Sequence, residues 1–171
     1  MRKQKYSLQS PLARISRHDQ LPACAITLGS CLDTSNGNSD RFTLVKVESY
    51  LIILVSYVCG PDAKYYCDQY DFPLKTLIWF PRALEGFRKS PSEGGLLAGA
   101  MTTQDVDVDG EMMCIQNTTD GYALMNRSRN LQDTSSQYYP VNLSLSWEFL
   151  YKLGFLDIWK SAGERYQKGE I

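Results

Sequence analysis

A single histidine, His18, is all the imidazole that the 171 residues contain, and that scarcity removes most metal chemistry at once. A structural zinc site needs four Cys or His ligands at recognisable spacing. The five cysteines (Cys24, Cys31, Cys59, Cys67 and Cys114) are scattered, with no CxxC pair among them. An odd number of thiols without an export signal points to reduced cysteines in a cytoplasmic compartment. Most of them should serve as small core residues. Apolar runs stop at about ten residues, short of the roughly 18 that cross a bilayer. Net charge is only −1, so no global field advertises nucleic acid or an anionic membrane as partner. GxSxG and P-loop motifs are absent; Gly94-Gly95 and Gly99 lack the Lys and Ser/Thr that cradle phosphate. The Asn-x-Ser/Thr triplets at Asn117, Asn126 and Asn142 matter only in an exported chain.

What is present is ordinary globular composition, with 43% hydrophobic and 22% charged residues, which disfavours disordered and fibrous classes. The charge is uneven. Arg2, Lys3, Lys5, Arg14 and Arg17 give residues 1–18 a charge of +5 against −6 for the remainder. No apolar segment of secretory type follows this basic start. Leu8, Leu12 and Ile15 fall at helical spacing, as in a mitochondrial-type presequence, but Pro11 interrupts. The more economical expectation is a basic leader over residues 1–20, partly ordered and docked on an acidic body. Residues 21–171 then form one α+β domain.

The greasiest stretch runs from Phe42 to Cys59, and its β-branched residues favour strand over helix. A near-continuous apolar strand is covered on both faces. Eighteen residues at ~3.3 Å each are too long for one strand here, so a break is expected at Glu48-Ser49. Ala23–Leu32 should pair with Phe42–Val47 across the turn signal Asn36-Gly37. Ala63–Tyr70 is polar and aromatic and reads as a loop. Trp79, Phe80, Ala83, Leu84 and Phe87 mark one face of a helix near 80–89, which starts either near Phe80 or, capped by Asp71, at Pro73. Leu96–Arg127 reads as a meander with two-residue turns at Asp109-Gly110 and Asp120-Gly121. The first turn sets Val108 against Glu111, Val106 against Met113 and Gln104 against Ile115. Val106, Val108, Met113 and Ile115 then share a face with Tyr122 and Leu124. Asn126–Ser136 reads as a polar loop, and Val141, Leu143 and Leu145 alternate in a half-buried strand. Two short helices close the chain, Trp147–Leu153 capped by Ser146 and ended at Gly154, then a second from about Asp157. The expected fold class is therefore α+β: a mostly antiparallel sheet, one packed helix near 80–89 and two short C-terminal helices.

Two stretches resemble functional motifs. DVDVDG, Asp105–Gly110, resembles the start of a DxDxDG calcium loop, in which Asp105, Asp107 and Asp109 would converge on a hard cation. The resemblance ends there, because Gln116 and not Glu occupies position 12 and Met112 stands at position 8. It implies Ca²⁺ binding; separately, three acids this close could hold Mg²⁺ or Mn²⁺ for a metal-dependent hydrolase. Pro61-Asp62 followed by Lys64 resembles the first half of the PD-(D/E)xK nuclease pattern, whose second half is missing.

The remaining candidates are binding residues. Tyr65, Tyr66 and Tyr70 lie close to Asp68 and Asp71, and Tyr138-Tyr139 mark another surface. Tyrosine gives large contact area at low entropic cost and is enriched at interfaces. The expected function is a non-catalytic accessory protein acting on a protein partner or small ligand, of inhibitor or immunity character. An open sheet edge would also allow homo-oligomerisation.

Overall fold

The computed structural model describes residues 5–132 and 137–171. Ala25–Asp33 (β1), Asp40–Val47 (β2), Tyr50–Cys59 (β3) and Lys64–Pro73 (β4) form an antiparallel four-stranded sheet in that order. The break at Glu48-Ser49 is a tight turn in which Glu48 takes a left-handed conformation, so that Val47 faces Tyr50. The segment expected as a loop before Tyr70 is instead β4, with Tyr66 opposite Tyr57 and Phe72 opposite Leu51. Its polar residues fit a strand because buried Gln69 and Asp71 are satisfied by the Ile15 and Ala13 backbone and by Gln132, while Lys64, Tyr66 and Asp68 reach solvent.

A second antiparallel sheet holds Val106–Val108 (β5), Glu111–Asn117 (β6), Gly121–Asn130 (β7) and Pro140–Ser146 (β8). The strands thus divide into two sheets where one was expected, because the chain leaves β4 for a helix before pairing again. Asp109 and Gly110, with φ of 50° and 85°, make the hairpin turn, and Val108–Glu111 and Val106–Met113 pair as the sequence implies. Beyond Val106 the register slips: Thr103, not Gln104, bonds Ile115, through N–H to O at 2.9 Å and Oγ1 from N–H at 2.9 Å. Val106, expected on the same buried face, is exposed instead, because the register slip leaves it at the sheet edge, while Val108, Met113, Ile115, Tyr122 and Leu124 are buried together. The second turn is displaced by one residue: Asn117 faces Tyr122 and the Thr118 N–H bonds the Gly121 carbonyl at 2.9 Å, so Thr119-Asp120, not Asp120-Gly121, lie at its tip. Gly121 is needed there for close approach, because a Cβ would collide with the Leu145 carbonyl oxygen. Asn126–Asn130 continue β7 and are not loop; 133–136 of that expected loop lie outside the described residues.

One core joins both sheets and the helices, drawing Leu44, Ile53 and Phe72 from the first sheet and Ile115, Leu124 and Leu143 from the second. Helix α1 (Thr76–Glu85) starts between the two expected positions, with Lys75 and not Asp71 at its N-cap. Pro81 lies inside it. Proline has no N–H to give the carbonyl four residues back, here Leu77. That oxygen is taken up from outside: Trp159 Nε1 of helix α2 (Phe155–Gln167) donates to it at 3.1 Å. Before α2, Ser146 Oγ accepts the Phe149 N–H at 3.1 Å, and Glu148–Lys152 make a single π-type turn closed by Leu153 N–H to Glu148 O. Among the described residues no helix is long and apolar enough to cross a membrane.

Gly163 lets the two helices meet, since a Cβ there would stand 2.9 Å from the same Leu77 oxygen. Gly163→Ala should therefore destabilise the fold by about 1–3 kcal/mol from overpacking, although alanine favours an isolated helix by about 1 kcal/mol. Urea unfolding would show it as a lowered midpoint. A raised midpoint would mean that the crossing relaxes freely.

Residues 5–22 form a strap without helix: Leu12, Ile15 and Leu21 cover the outer face of the first sheet, while Lys5, Tyr6, Gln9 and Ser10 bond to Asp105, Ser128 and Arg129 on the side of the second. Ile15 is buried against Val45, Ile52, Leu54 and Cys67, whereas Leu8 remains exposed. Gln69 reads the strap backbone on both sides, accepting the Ile15 N–H at 2.8 Å and donating to the Ala13 carbonyl at 3.2 Å. This is why β3 is apolar on both faces: odd-numbered Leu51, Ile53 and Val55 enter the main core, while Ile52 and Leu54 lie under the strap.

Candidate functional site

Strand alternation in β4 separates residues that look like one patch in the sequence. Tyr65 and Asp71 face the strap side; Tyr66, Asp68 and Tyr70 face the other. Asp71 is buried at 2% exposure and is not a surface group. One carboxylate oxygen accepts Gln69 Nε2 at 2.9 Å and the other Gln132 Nε2 at 3.1 Å. Burial pushes its carboxyl up, and those two amides hold it partly back. The Asp71 backbone oxygen takes Asn126 Nδ2 at 3.1 Å, which ties the two sheets together. Asp71 is thus a structural buckle between strap and sheets.

The other face carries a cluster at the end of the first sheet. Asp33 pairs with Asp40, Tyr57 with Tyr66, and Asp68 lies one row inward opposite Val55. The Tyr57 and Tyr66 rings stack at 5.4 Å, and Tyr66 and Asp68 are exposed. Among the described residues no lysine or arginine forms an ion pair with Asp33, Asp40 or Asp68. Burial, and then the charges of Asp33 and Asp68, push the Asp40 carboxyl up. The Tyr57 phenol is raised by burial and by Asp68. Tyr70 is pushed up to about 12 by burial, then by Asp68, Tyr57 and Asp40.

A raised phenol binds its proton more tightly when folded than when unfolded. Its contribution is complete below the ordinary value near 10 and is lost as pH climbs through about 12. Tyr70→Phe is therefore expected to flatten the fall in stability across that alkaline window, as read by urea midpoints at increasing pH. Equal slopes for both proteins would show that Tyr70 ionises as easily folded as unfolded.

On the strap side of the same sheet end, His18 closes a cleft of about 570 Å³ whose lining includes Arg41, Ser56, Val58, Tyr65 and Leu32. Tyr65 Oη accepts the His18 backbone N–H at 3.1 Å and lies 2.8 Å from His18 Nδ1. Ser56 Oγ is 3.1 Å from the same nitrogen. The Arg17 guanidinium covers the Tyr65 ring at 4.2 Å.

The three aspartates of the calcium-like stretch do not converge. Asp105 receives Lys5 Nζ at 2.9 Å, Tyr6 Oη at 2.6 Å and Arg127 Nε at 2.9 Å. Burial alone would raise its carboxyl, but the bonds from Tyr6 and Lys5 outweigh it and hold it below the usual range. Asp107 accepts the Gly110 N–H at 2.7 Å within the turn, and Asp109 pairs with Lys75 at 3.0 Å. Among the described residues no group of three or more His, Cys, Asp or Glu side chains is placed to hold a metal ion. Millimolar Ca²⁺ is accordingly expected to leave the melting temperature unchanged; a clear rise would restore the calcium reading.

Sequence reasoning missed Asp33, Asp40 and Tyr57, although the expected hairpin around Asn36-Gly37 already carried the signal that brings Asp33 opposite Asp40. It assigned no role to His18. Comparison of the chain with family models, curated proteins and solved structures finds no match.

Proposed function

We propose that this chain is a non-catalytic binding protein of inhibitor or immunity character, which masks a basic surface on a protein partner. The observation that carries this reading is the cluster at the end of the first sheet. Carboxylates Asp33, Asp40 and Asp68 stand there without a cationic partner among the described residues, beside stacked Tyr57 and Tyr66. Carboxylates that repel one another in the free protein are relieved when a lysine or arginine approaches, which steers encounter and fixes register. The tyrosines add contact area that loses little freedom on binding. The same carboxylates repel phosphate backbones, so nucleic acid is not the expected partner. Five free thiols support a reducing, cytoplasmic setting.

The test uses the intact protein immobilised beside an Asp40→Asn, Asp68→Asn double variant with an unchanged circular dichroism spectrum. Extract of the native host is passed over both. A basic protein retained by the wild type, released by salt and absent from the variant is the expected result. Equal retention on both surfaces would end the reading.

A further inference from the structure

The end of the first sheet has a second face with opposite chemistry. Arg41 stands opposite Ser56 in the β2–β3 register and Val58 opposite Tyr65 in the β3–β4 register, which places all four on the strap side. Asp40 and Tyr57 reach the rim of the cleft, but their side chains belong to the acidic face, where Asp40 feels Asp33 and Asp68. Arg41 is thus the one formally charged side chain that strand alternation directs into the cleft. It gives Nη1 to Ser30 Oγ at 3.1 Å and forms no ion pair among the described residues, so the rest of its fork is available.

His18 supplies the second donor. Tyr65 Oη accepts the His18 backbone N–H and lies 2.8 Å from Nδ1, and Ser56 Oγ lies 3.1 Å from the same nitrogen, so two hydroxyls can donate to it. With Nδ1 acting as acceptor, the neutral ring carries its proton on Nε2, and the protonated ring carries one there as well. Nε2–H is therefore a donor in both states, and among the described residues nothing accepts from it. Around these two donors the cleft is walled by Leu32, Val58 and the Tyr65 ring.

We propose that this cleft binds a small molecule bearing an oxyanion, a carboxylate or phosphate monoester, on a compact apolar or aromatic body. The oxyanion takes the Arg41 fork and His18 Nε2–H, and the body lies on Val58 and Leu32, because the Tyr65 ring is already occupied by Arg17 and His18. A volume of about 570 Å³ suits such a ligand. The cleft and the acidic surface share only the rim residues Asp40 and Tyr57, and the cleft proposal rests on Arg41 and His18, so either reading can fail without the other.

Because His18 is the only histidine, its ring resonances report on this cleft alone. Phenyl phosphate and, separately, benzoate are added to the intact protein, with Arg41→Gln and Arg41→Lys variants alongside. A saturable shift of the His18 ring signals by either probe in the wild type is expected, weakened at least about tenfold by losing one charged bidentate contact in Arg41→Gln. Arg41→Lys, which keeps the charge but not the fork, should fall between. A response to phenyl phosphate alone identifies the tetrahedral anion, and a response to benzoate alone the carboxylate. No shift with either probe at millimolar concentration overturns the proposal, and that outcome needs no variant to fold. An undiminished shift in a natively folded Arg41→Gln overturns it equally.

Discussion

Trp159→Ala is expected to leave the chain largely unfolded at room temperature. The indole is fully buried, with its ring 4.7 Å from Phe80 and 5.9 Å from Phe155. Truncating a buried Trp to Ala costs about 3–5 kcal/mol in lost transfer energy and cavity. The Leu77 carbonyl, which has no helical donor because residue 81 is proline, would also lose its bond to Nε1. An orphaned buried acceptor adds about 1–3 kcal/mol. Set against a typical domain stability of about 5–15 kcal/mol, that is a large fraction. Trp159→Phe separates the two effects, since it keeps most of the ring volume and removes only the donor. It should cost about 1–3 kcal/mol by urea unfolding. A Trp159→Phe protein as stable as wild type would show that Leu77 O finds another donor.

Arg129→Met is the second large effect, at about 3–5 kcal/mol. Arg129 is 3% exposed and Glu111 4%, and the two are bridged from Nε to Oε1 and from Nη2 to Oε2. Glu111 Oε1 also takes Asn126 Nδ2 at 3.0 Å, while Arg129 Nη1 donates to the Ser10 carbonyl of the strap and the guanidinium lies 4.9 Å from the Tyr50 ring. Removing the cation alone leaves a buried carboxylate without its counter-charge, and that accounts for most of the cost. Replacing both members, as Arg129→Met with Glu111→Leu, removes that penalty and should cost less than the two single changes added together. The non-additivity is expected at about 0.5–3 kcal/mol. Strict additivity across a four-protein urea series would deny that the pair acts as a unit.

The features legible in the sequence are those whose cause is local. Asp109-Gly110 demands two positive φ angles, and that alone sets the β5–β6 register around Val108 and Glu111. The β-branched run of β3 announces cover on both faces. What covers the second face was not legible, because Ile15 docks through Gln69, 54 residues away, with no local pattern to mark either residue. β4 escaped for a related reason: Gln69 and Asp71 are polar yet buried, satisfied by strap and second-sheet partners that only the tertiary fold supplies. α1 was misplaced at its start because the sequence shows Pro81 as a signal of helix entry, whereas Trp159 makes it tolerable inside. The candidate site suffered most. Tyr65 and Tyr66 are adjacent in the chain, but a strand sends them to opposite faces, and the acids that accompany Tyr66 come from β1 and β2.

The strap's fastenings all lie downstream of it. Ile15 needs Gln69, Ser10 needs Arg129 and Leu12 needs Gln132, at separations of 54, 119 and 120 residues. On the ribosome, residues 10–15 are therefore made long before the last groups that hold them exist, and closing such long loops carries an entropic cost that later contacts must offset. Leu12, which packs beside Val45, Ile52 and Leu54, gains its bond from Gln132 only after translation has passed residue 132. Order of manufacture and order of closure run in opposite directions along this polypeptide.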